Sequence, residues 1–483
     1  MRTVLAFDLG ASSGRLVANH FDGRIITSEE IHRFSNKPVH IGSHFYWDDQ
    51  FIIRQMKQAL EQAPSNACTV GIDTWGVDFG LLGKNNQLLA QPFSYRDPHT
   101  EVMVNTLQQH MTPFELFQRT GNEVASINTL FQLMAIQEDQ PQLLKEVTEI
   151  LLLPNLFSYY LTGIKNNEFT IASTTQLMNP STKAWDRALI QDIFGQDLPL
   201  CDIVQPHQII GPLDQFPTLQ MVAVPGHDTA SALSALPIEE SEALFMSLGT
   251  WGLVGKEVQE PIVSIEAFNG GFTNEGTSEG TYRFQKNAMG FWLLHRLREE
   301  WQQQQITLSY EDEKRLFYEN ENFSTFIDPN DESFFNPANM QQAIQHYCRM
   351  TNQQAPETVG QYIRCITLSL ALSYATIAEQ IEQMTANEKG TIYIGGGGAE
   401  NEQLCQMLAN ISGKQISAGP TEASSLGNGL SQLRALGEIH SLQEGRDIIK
   451  ASYLVKRYEP QVMEQKELYL EKFRQLFRPY KHS

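Results

Sequence analysis

The chain is short of cations. Its 35 lysines and arginines stand against 56 aspartates and glutamates, a formal net charge of -21 over 483 residues. That deficit argues against nucleic-acid or acidic-membrane partners, since both need a basic face. Cysteine is scarce too: Cys68, Cys201, Cys348, Cys365 and Cys405 show no CxxC spacing, and an odd count leaves one unpaired in a monomer. A disulfide scaffold is thereby set aside and a reducing cytoplasm is expected. The twelve histidines are scattered without an HExxH pair, so no zinc motif is present. Long apolar runs are missing as well. The best, Ile366 to Ala378, carries Thr367, Ser369, Ser373 and Thr376 and is too short to span a bilayer. The N-terminus enters a strand pattern at once, with no charged-then-apolar signal segment.

What is present is a glycine-rich strand–turn–strand pattern that occurs twice. Near the start, Val4 to Leu9 is apolar and β-prone, breaks at Gly10-Ala11-Ser12-Ser13-Gly14-Arg15, and resumes at Leu16-Val17. In the middle, Ala243 to Leu248 breaks at Gly249-Thr250-Trp251-Gly252 and resumes at Leu253-Val254. Each reads as a hairpin whose short loop points backbone N–H groups into one concavity, which suits a phosphate chain. Two such loops facing each other form a clamp, and a chain of this length exceeds what one core usually supports. Two domains are expected, at 1–236 and 237–454, with the boundary at Leu236-Pro237 followed by the acidic Glu239-Glu240-Ser241-Glu242. A last amphipathic helix within 455–483, carrying Leu468, Leu470, Phe473, Leu476 and Phe477, is expected to pack back on the first domain. Helices are predicted over Asp48 to Ala63 and Val359 to Met384, strands over Thr69 to Asp73 and Thr391 to Ile394, and a surface loop over Asn320 to Asn339.

Four further segments could carry chemistry. Gly226-His227-Asp228-Thr229 lies between a short strand and a helix, where Asp228 could serve as a general base or simply as an N-cap. Asp73-Thr74-Trp75-Gly76-Val77-Asp78 mixes carboxylates, an indole and a bare glycine, as sugar sites do, though the same turn could be core packing. Gly395 to Gly398 would let an adenine lie flat on the main chain, or mark a helix start needing positive φ. Lys286-Asn287 offers polar groups to a cleft or a plain helix cap. In the first turn, Asp8 could hold Mg²⁺ through water or merely bond its own turn. That turn is neither a P-loop nor a GxGxxG fingerprint.

In this order the motifs resemble the FGGY carbohydrate kinases of the actin/hexokinase/Hsp70 superfamily. The segments Ile127-Asn128-Thr129-Leu130, Thr174-Thr175-Gln176-Leu177, Asn287-Ala288-Met289-Gly290 and Gly419-Pro420-Thr421-Glu422-Ala423-Ser424 extend the resemblance nearly end to end. It implies an α/β protein of two ribonuclease-H-like domains flanking a catalytic cleft. It also implies transfer of the ATP γ-phosphoryl group to the C1 hydroxyl of L-rhamnulose, or of a related ketose such as L-fuculose or L-xylulose. A nonenzymatic ATPase or sugar-sensing protein of the same fold is the remote alternative. Carried over by motif, Asp228 is the base, and Gly76, His227, Asp228, Thr229 and Asn287 contact the sugar. Ala11, Ser12, Ser13, Gly14, Arg15, Thr250 and Gly397 contact ATP, and Asp8 lies near Mg²⁺. The chain departs from the family at His295, where a glutamine would stand, so no contact is carried over there. Cys348 and Cys365 match one cysteine pair that the family can show, and a cytoplasmic setting favours thiols. The implied partners are the sugar and ATP, with the protein a monomer or small homo-oligomer.

Overall fold

A computed structural model of the chain describes residues 1–240, 243–386 and 390–476. The first glycine-rich pattern forms β1 (Arg2–Leu9) and β2 (Ser13–Phe21), continued antiparallel by β3 (Ile26–Ser35). Gly10 N–H closes the turn on the Ser13 carbonyl at 2.9 Å, and Asn36 pins it by donating to the Ser12 and Gly10 carbonyls at 3.0 and 2.9 Å. Gly14 is required here, because a Cβ would come within 2.4 Å of the Phe34 ring. The helix predicted from Asp48 is α1 (Asp49–Glu61), with the Asp48 carboxylate accepting from Phe51 N–H at 2.8 Å. Beyond β1 lie the parallel strands β4 (Ala67–Thr74) and β5 (Gln220–Ala223), then the antiparallel edge Gln208–Pro212. Helix α2 (Asp228–Ala235) follows β5 after a short corner.

The second half repeats the plan. β6 (Leu244–Leu248) and β7 (Trp251–Val258) form the second hairpin, and β8 (Tyr282–Met289) extends it antiparallel to the edge strand Thr273–Gly276. On the other side β9 (Ile392–Gly395) and β10 (Ile416–Ala418) run parallel to β6, and Lys456–Tyr458 closes the sheet. With the edge strands set aside, the sheets run β3-β2-β1-β4-β5 and β8-β7-β6-β9-β10, the same order of third, second, first, fourth and fifth strand, as in a ribonuclease-H-like duplication. The long helix α3 (Val359–Thr385) opens on a Thr358/Gln361 capping box and fills the second core. Two of its buried hydroxyls return to the helix itself, Ser369 donating to the Cys365 carbonyl at 2.6 Å and Thr376 to the Leu372 carbonyl at 2.9 Å, while Tyr374 donates across to the Met289 carbonyl at 2.9 Å. Among the described residues no helix is long and apolar enough to cross a membrane.

Two expectations about packing are corrected. The element that returns to the first sheet is α4 (Ala423–Ala435), not the last helix. Along α4, Asn428 donates to Asp73 at 2.6 Å and Gln432 to the Leu5 carbonyl at 2.8 Å, while the Thr69 hydroxyl donates to Gln432 at 2.7 Å. Gly427 lets α4 cross α2 at contact distance, since a Cβ there would sit 1.7 Å from the Ser231 carbonyl oxygen. The last helix, α5 (Lys466–Leu476), packs instead on the second half: Tyr469 and Phe473 meet Phe326 at ring separations of 5.9 and 6.1 Å. Phe477 and the rest of 477–483 lie outside the described residues, as do Ser241 and Glu242. The second correction concerns 320–339. Phe326 and Ile327 are buried there, so this polar stretch tucks an apolar knuckle under α5 rather than running over the surface.

Candidate active site

Three parallel strand ends build the site. Asp8 at the end of β1 sits beside Asp73 of β4, and the corner after β5 joins them: Thr74 N–H bonds the Gly226 carbonyl at 2.9 Å, and Thr74 bridges to His227. Three carboxylates thus converge. Burial raises Asp8 above the usual carboxylate range, countered by Arg15, which donates from Nε and Nη2 to one Asp8 oxygen at 3.0 and 2.7 Å. Asp73 is fully buried and pushed well up, first by desolvation and then by the charges of Asp8 and Asp228. One of its oxygens accepts from Asn428; the other has no partner among the described residues.

Asp228 is the first residue of α2, not its cap. The cap position is His227, and no side chain caps this helix. The Asp228 carboxylate, about one-third exposed at 32%, accepts from Thr229 Oγ1 at 3.1 Å and lies 3.4 Å from His227 Nε2. A carboxylate at a helix N-terminus interacts favourably with the local dipole. Behind it, buried Glu168 fixes the corner by accepting from Gly226 N–H at 2.8 Å, as well as from Thr170 and Ile171. Burial lifts Glu168 to about 7 against those hydrogen bonds.

The turn at 73–78 divides its labour differently from the sequence expectation. Asp78 is buried and offers nothing to a ligand. It accepts from the indoles of Trp47 and Trp75 at 2.6 and 2.8 Å and from Gln132 at 2.9 Å, while desolvation raises it to about 6. Between these anchors Val77 takes φ +68°, a left-handed value costly for a β-branched residue. Thr174 accepts from Val77 N–H at 3.1 Å and Thr129 donates to its carbonyl at 2.6 Å, so the strained turn is held from both sides. Gly76 is half-buried next to Thr174.

On the second half, the Lys286-Asn287 pair is split by the strand. Asn287 is exposed, whereas Lys286 is buried, its pKa lowered by desolvation, with its ammonium 5.6 Å from the centre of the Phe272 ring. Glu123, which carries no motif, is raised to about 7 by burial and feels the charges of Lys286 and Glu275. Thr250 is exposed on the second hairpin, whose underside is Gly290: a Cβ there would meet the Gly249 carbonyl oxygen at 2.5 Å. Gly396 has φ +76° and rests on the Leu248 carbonyl, while Gly397 is exposed with open space above it. In the first turn Ser12 is exposed, and Ala11 and Ser13 are half-buried. Arg15 is committed to Asp8 and, through Nη1, to Glu422 just before α4. Those carboxylates, rather than open solvent, receive its guanidinium.

His295 stands one turn into the helix Trp292–Gln303, its pKa lowered by burial. Cys348 and Cys365 are both buried free thiols in hydrogen-bonding contact. A cavity of about 510 Å³ lined by Pro237, Tyr393, Lys450 and Arg457 opens beside Thr391, at the far end of β9 from Gly397, and holds none of the candidate residues.

The two halves thus repeat one sheet plan, the duplicated fold of the actin/hexokinase type, and the carboxylate corner lies at the strand ends of the first. The profile of the "FGGY family of carbohydrate kinases, N-terminal domain" matches residues 3–233, and that of its C-terminal domain matches 244–436. The chain belongs to this family. Among curated proteins it is similar to the rhamnulokinase of Bacteroides thetaiotaomicron, 38% identical over 95% of this chain and 96% of the relative. It is likewise similar to that of Enterobacter sp. (strain 638), 37% identical over 98% of both chains. Solved structures share the fold at low identity. The xylulose kinase from Lactobacillus acidophilus superposes with a TM-score of 0.81 at 15% identity, covering 99% of this chain and 97% of that one. Plasmodium falciparum glycerol kinase with ADP gives 0.78 at 13%, covering 98% and 97%.

Proposed function

We propose that this protein transfers the γ-phosphoryl group of ATP to the C1 hydroxyl of L-rhamnulose. The observation that carries the reading is Asp228: a carboxylate released from capping duty, partly open, at the corner shared by the first phosphate turn and the sugar-type turn. In this reading the Asp228 carboxylate takes the C1 hydroxyl proton as the new O–P bond forms and the β–γ bridging bond breaks, leaving ADP. His227, Thr229, Gly76 and Asn287 orient the sugar, while residues 11–14, Thr250 and Gly397 receive the nucleotide. Arg15 acts by holding Asp8 in place. The likeness to curated rhamnulokinases over nearly full length supports the choice of sugar.

The residues fit a hydrated Mg²⁺. One buried Asp73 oxygen has no partner among the described residues, the charge of Asp228 raises the proton affinity of Asp8 and of Asp73, and no described group of three ligands is arranged to grip an ion directly. Asp8 and Asp228 would hold the ion through water, where it would neutralise charge on the phosphates. The buried thiols of Cys348 and Cys365 support placement in a reducing cytoplasm. A coupled ADP-release assay over a panel of ketoses and polyols tests the reading. L-rhamnulose should stand far above L-fuculose, L-xylulose and glycerol, and sugar-independent ADP release would overturn it.

A further inference from the structure

Behind His227 stands a group of residues that no motif marks. The edge strand Thr273–Gly276 pairs with β8 so that Glu275 lies opposite Arg283, and Thr273 lies opposite Gln285. This strand belongs to the second sheet but is docked on the first half: Asn274 donates to the Gly121 carbonyl at 2.9 Å, and Gly276 N–H to Ser173 Oγ at 2.7 Å. Arg283 is completely buried, and its Nε and Nη1 have no partner among the described residues. Its Nη2 is anchored, in contact with both Glu275 Oε2 and His227 Nδ1. Gln285 donates to the same Glu275 oxygen at 3.1 Å, and His227 Nδ1 lies 3.2 Å from it.

We infer that Arg283 is a positioning residue that fixes the tautomer of His227, so that the imidazole presents Nε2–H to the reacting corner. The inference rests on the kinase reading of Asp228. A guanidinium nitrogen only donates. Its two Nη2 hydrogens are satisfied by Glu275 Oε2 and by a lone pair on His227 Nδ1, so the proton of the neutral ring resides on Nε2. That nitrogen is 3.4 Å from Asp228 Oδ1. The opposite tautomer would aim a lone pair at the Asp228 carboxylate and compete with it for the hydroxyl proton. The charged groups facing the ring are Asp228 from its own helix and the Glu275–Arg283 pair from the second sheet, which together are neutral. Glu168 approaches the same corner through Gly226. The lock thus leaves Asp228 as the base and makes His227 a donor to a sugar oxygen.

Long-range proton–nitrogen correlation spectra of the full chain, labelled with ¹⁵N-histidine and assigned with His227→Gln, read the tautomer directly. The expected result at neutral pH is a protonated Nε2 and a bare Nδ1; a protonated Nδ1, alone or together with Nε2, overturns the inference. Arg283→Gln should move the proton to Nδ1, toward Glu275. It should also lower kcat roughly tenfold, the worth of one misdirected hydrogen bond, with KM for ATP unchanged. Arg283→Lys should restore the Nε2–H pattern and part of kcat. An unchanged tautomer in Arg283→Gln also overturns the inference, and if that variant does not fold the wild-type spectrum still decides. The ketose assay is independent: an active chain with the wrong tautomer sinks the lock and spares the kinase, while an inactive chain sinks the kinase reading itself.

Discussion

Replacing Asp228 by Asn separates catalysis from architecture. A capping aspartate would lose about 1 kcal/mol of stability on losing its acceptor. Asp228 caps nothing, so that cost does not arise. What is lost is the attraction between a carboxylate and the helix N-terminus, about 0.3–1 kcal/mol. Against this, Asp228 raises the proton affinity of both Asp8 and Asp73, so removing its charge relieves repulsion at two buried neighbours. The two effects oppose each other, and the net change in folding stability is expected to stay below about 1 kcal/mol. Turnover behaves differently: without a base to take the hydroxyl proton, kcat should fall by roughly 10²–10⁴. Steady-state kinetics give kcat, calorimetric titration gives sugar and nucleotide affinity, and thermal denaturation gives stability. The expected pattern is retained binding, retained melting temperature and lost turnover. Near-normal kcat would refute the assignment of Asp228 as base, and a large fall in melting temperature would refute the claim that it is structurally idle.

Two glycines should respond in opposite ways. Gly427→Ala forces a Cβ into the Ser231 carbonyl and should destabilise the protein by about 3 kcal/mol or more by overpacking two helices. Gly397→Val enters open space, so the melting temperature should hold while KM for ATP rises and KM for the sugar does not. Asn428→Leu strips Asp73 of its side-chain partner among the described residues and should cost about 1–3 kcal/mol in chemical denaturation, and adding Asp73→Asn should recover part of it by replacing the buried carboxyl with an amide. Acid should loosen the contact between the halves. Glu275 is held near 2 chiefly by the charge and hydrogen bond of Arg283, and Glu279 near 2 by His207 and Arg434, against the desolvation that opposes ionisation. Their folded values lie below the unfolded one, so their stabilisation is present above about pH 4.5 and is lost as pH falls toward 2. Melting temperatures measured from pH 6 to 3 should fall, and Glu279→Gln should flatten the slope.

The duplicated hairpins are legible because each is a β-prone run broken by glycines that the turn needs, as the clash at Gly14 shows. Helix α3 is legible because its apolar spacing persists over more than seven turns. The partner of an amphipathic helix is not legible, since periodicity says only that one face is buried. Hence α5 was expected on the wrong half, and α4, rich in glycine and serine, carried no sign that it spans both. The turn at 73–78 reads equally as a sugar site or as core packing because a carboxylate beside an indole suits either role, and for Asp78 the approach of Trp47 from a distant segment decides. Glu275, Arg283 and Asn428 sit on regular elements with no local signature. Their importance comes from register and long-range contact, which a single sequence does not display.

A chain with so large an excess of acid places three carboxylates at one corner and leaves a buried Asp73 oxygen without a donor among the described residues. Arg15 is shared among Asp8, Glu422 and, at 4.0 Å, Glu30, and Asn428 contributes a neutral hydrogen bond. The protein's own groups at this corner under-compensate its carboxylates, and binding that brings in positive charge should stabilise the fold beyond what nucleotide contacts alone provide. Thermal denaturation with Mg²⁺ alone, ATP with a chelator, and Mg²⁺ with ATP separates these contributions. At a hundredfold excess over Kd, a ligand specific to the folded state adds about 2.7 kcal/mol. The expected order is a small shift with either component alone and a larger one with both, since on the proposed reading the triphosphate would bring the ion to Asp8 and Asp228 through water. Asp8→Asn should abolish the difference between ATP and Mg²⁺ with ATP. If ATP with a chelator stabilised the protein as much as the magnesium complex does, the carboxylates would not be a cation site, and their clustering would have to be explained by the Asn428 and Arg15 contacts alone.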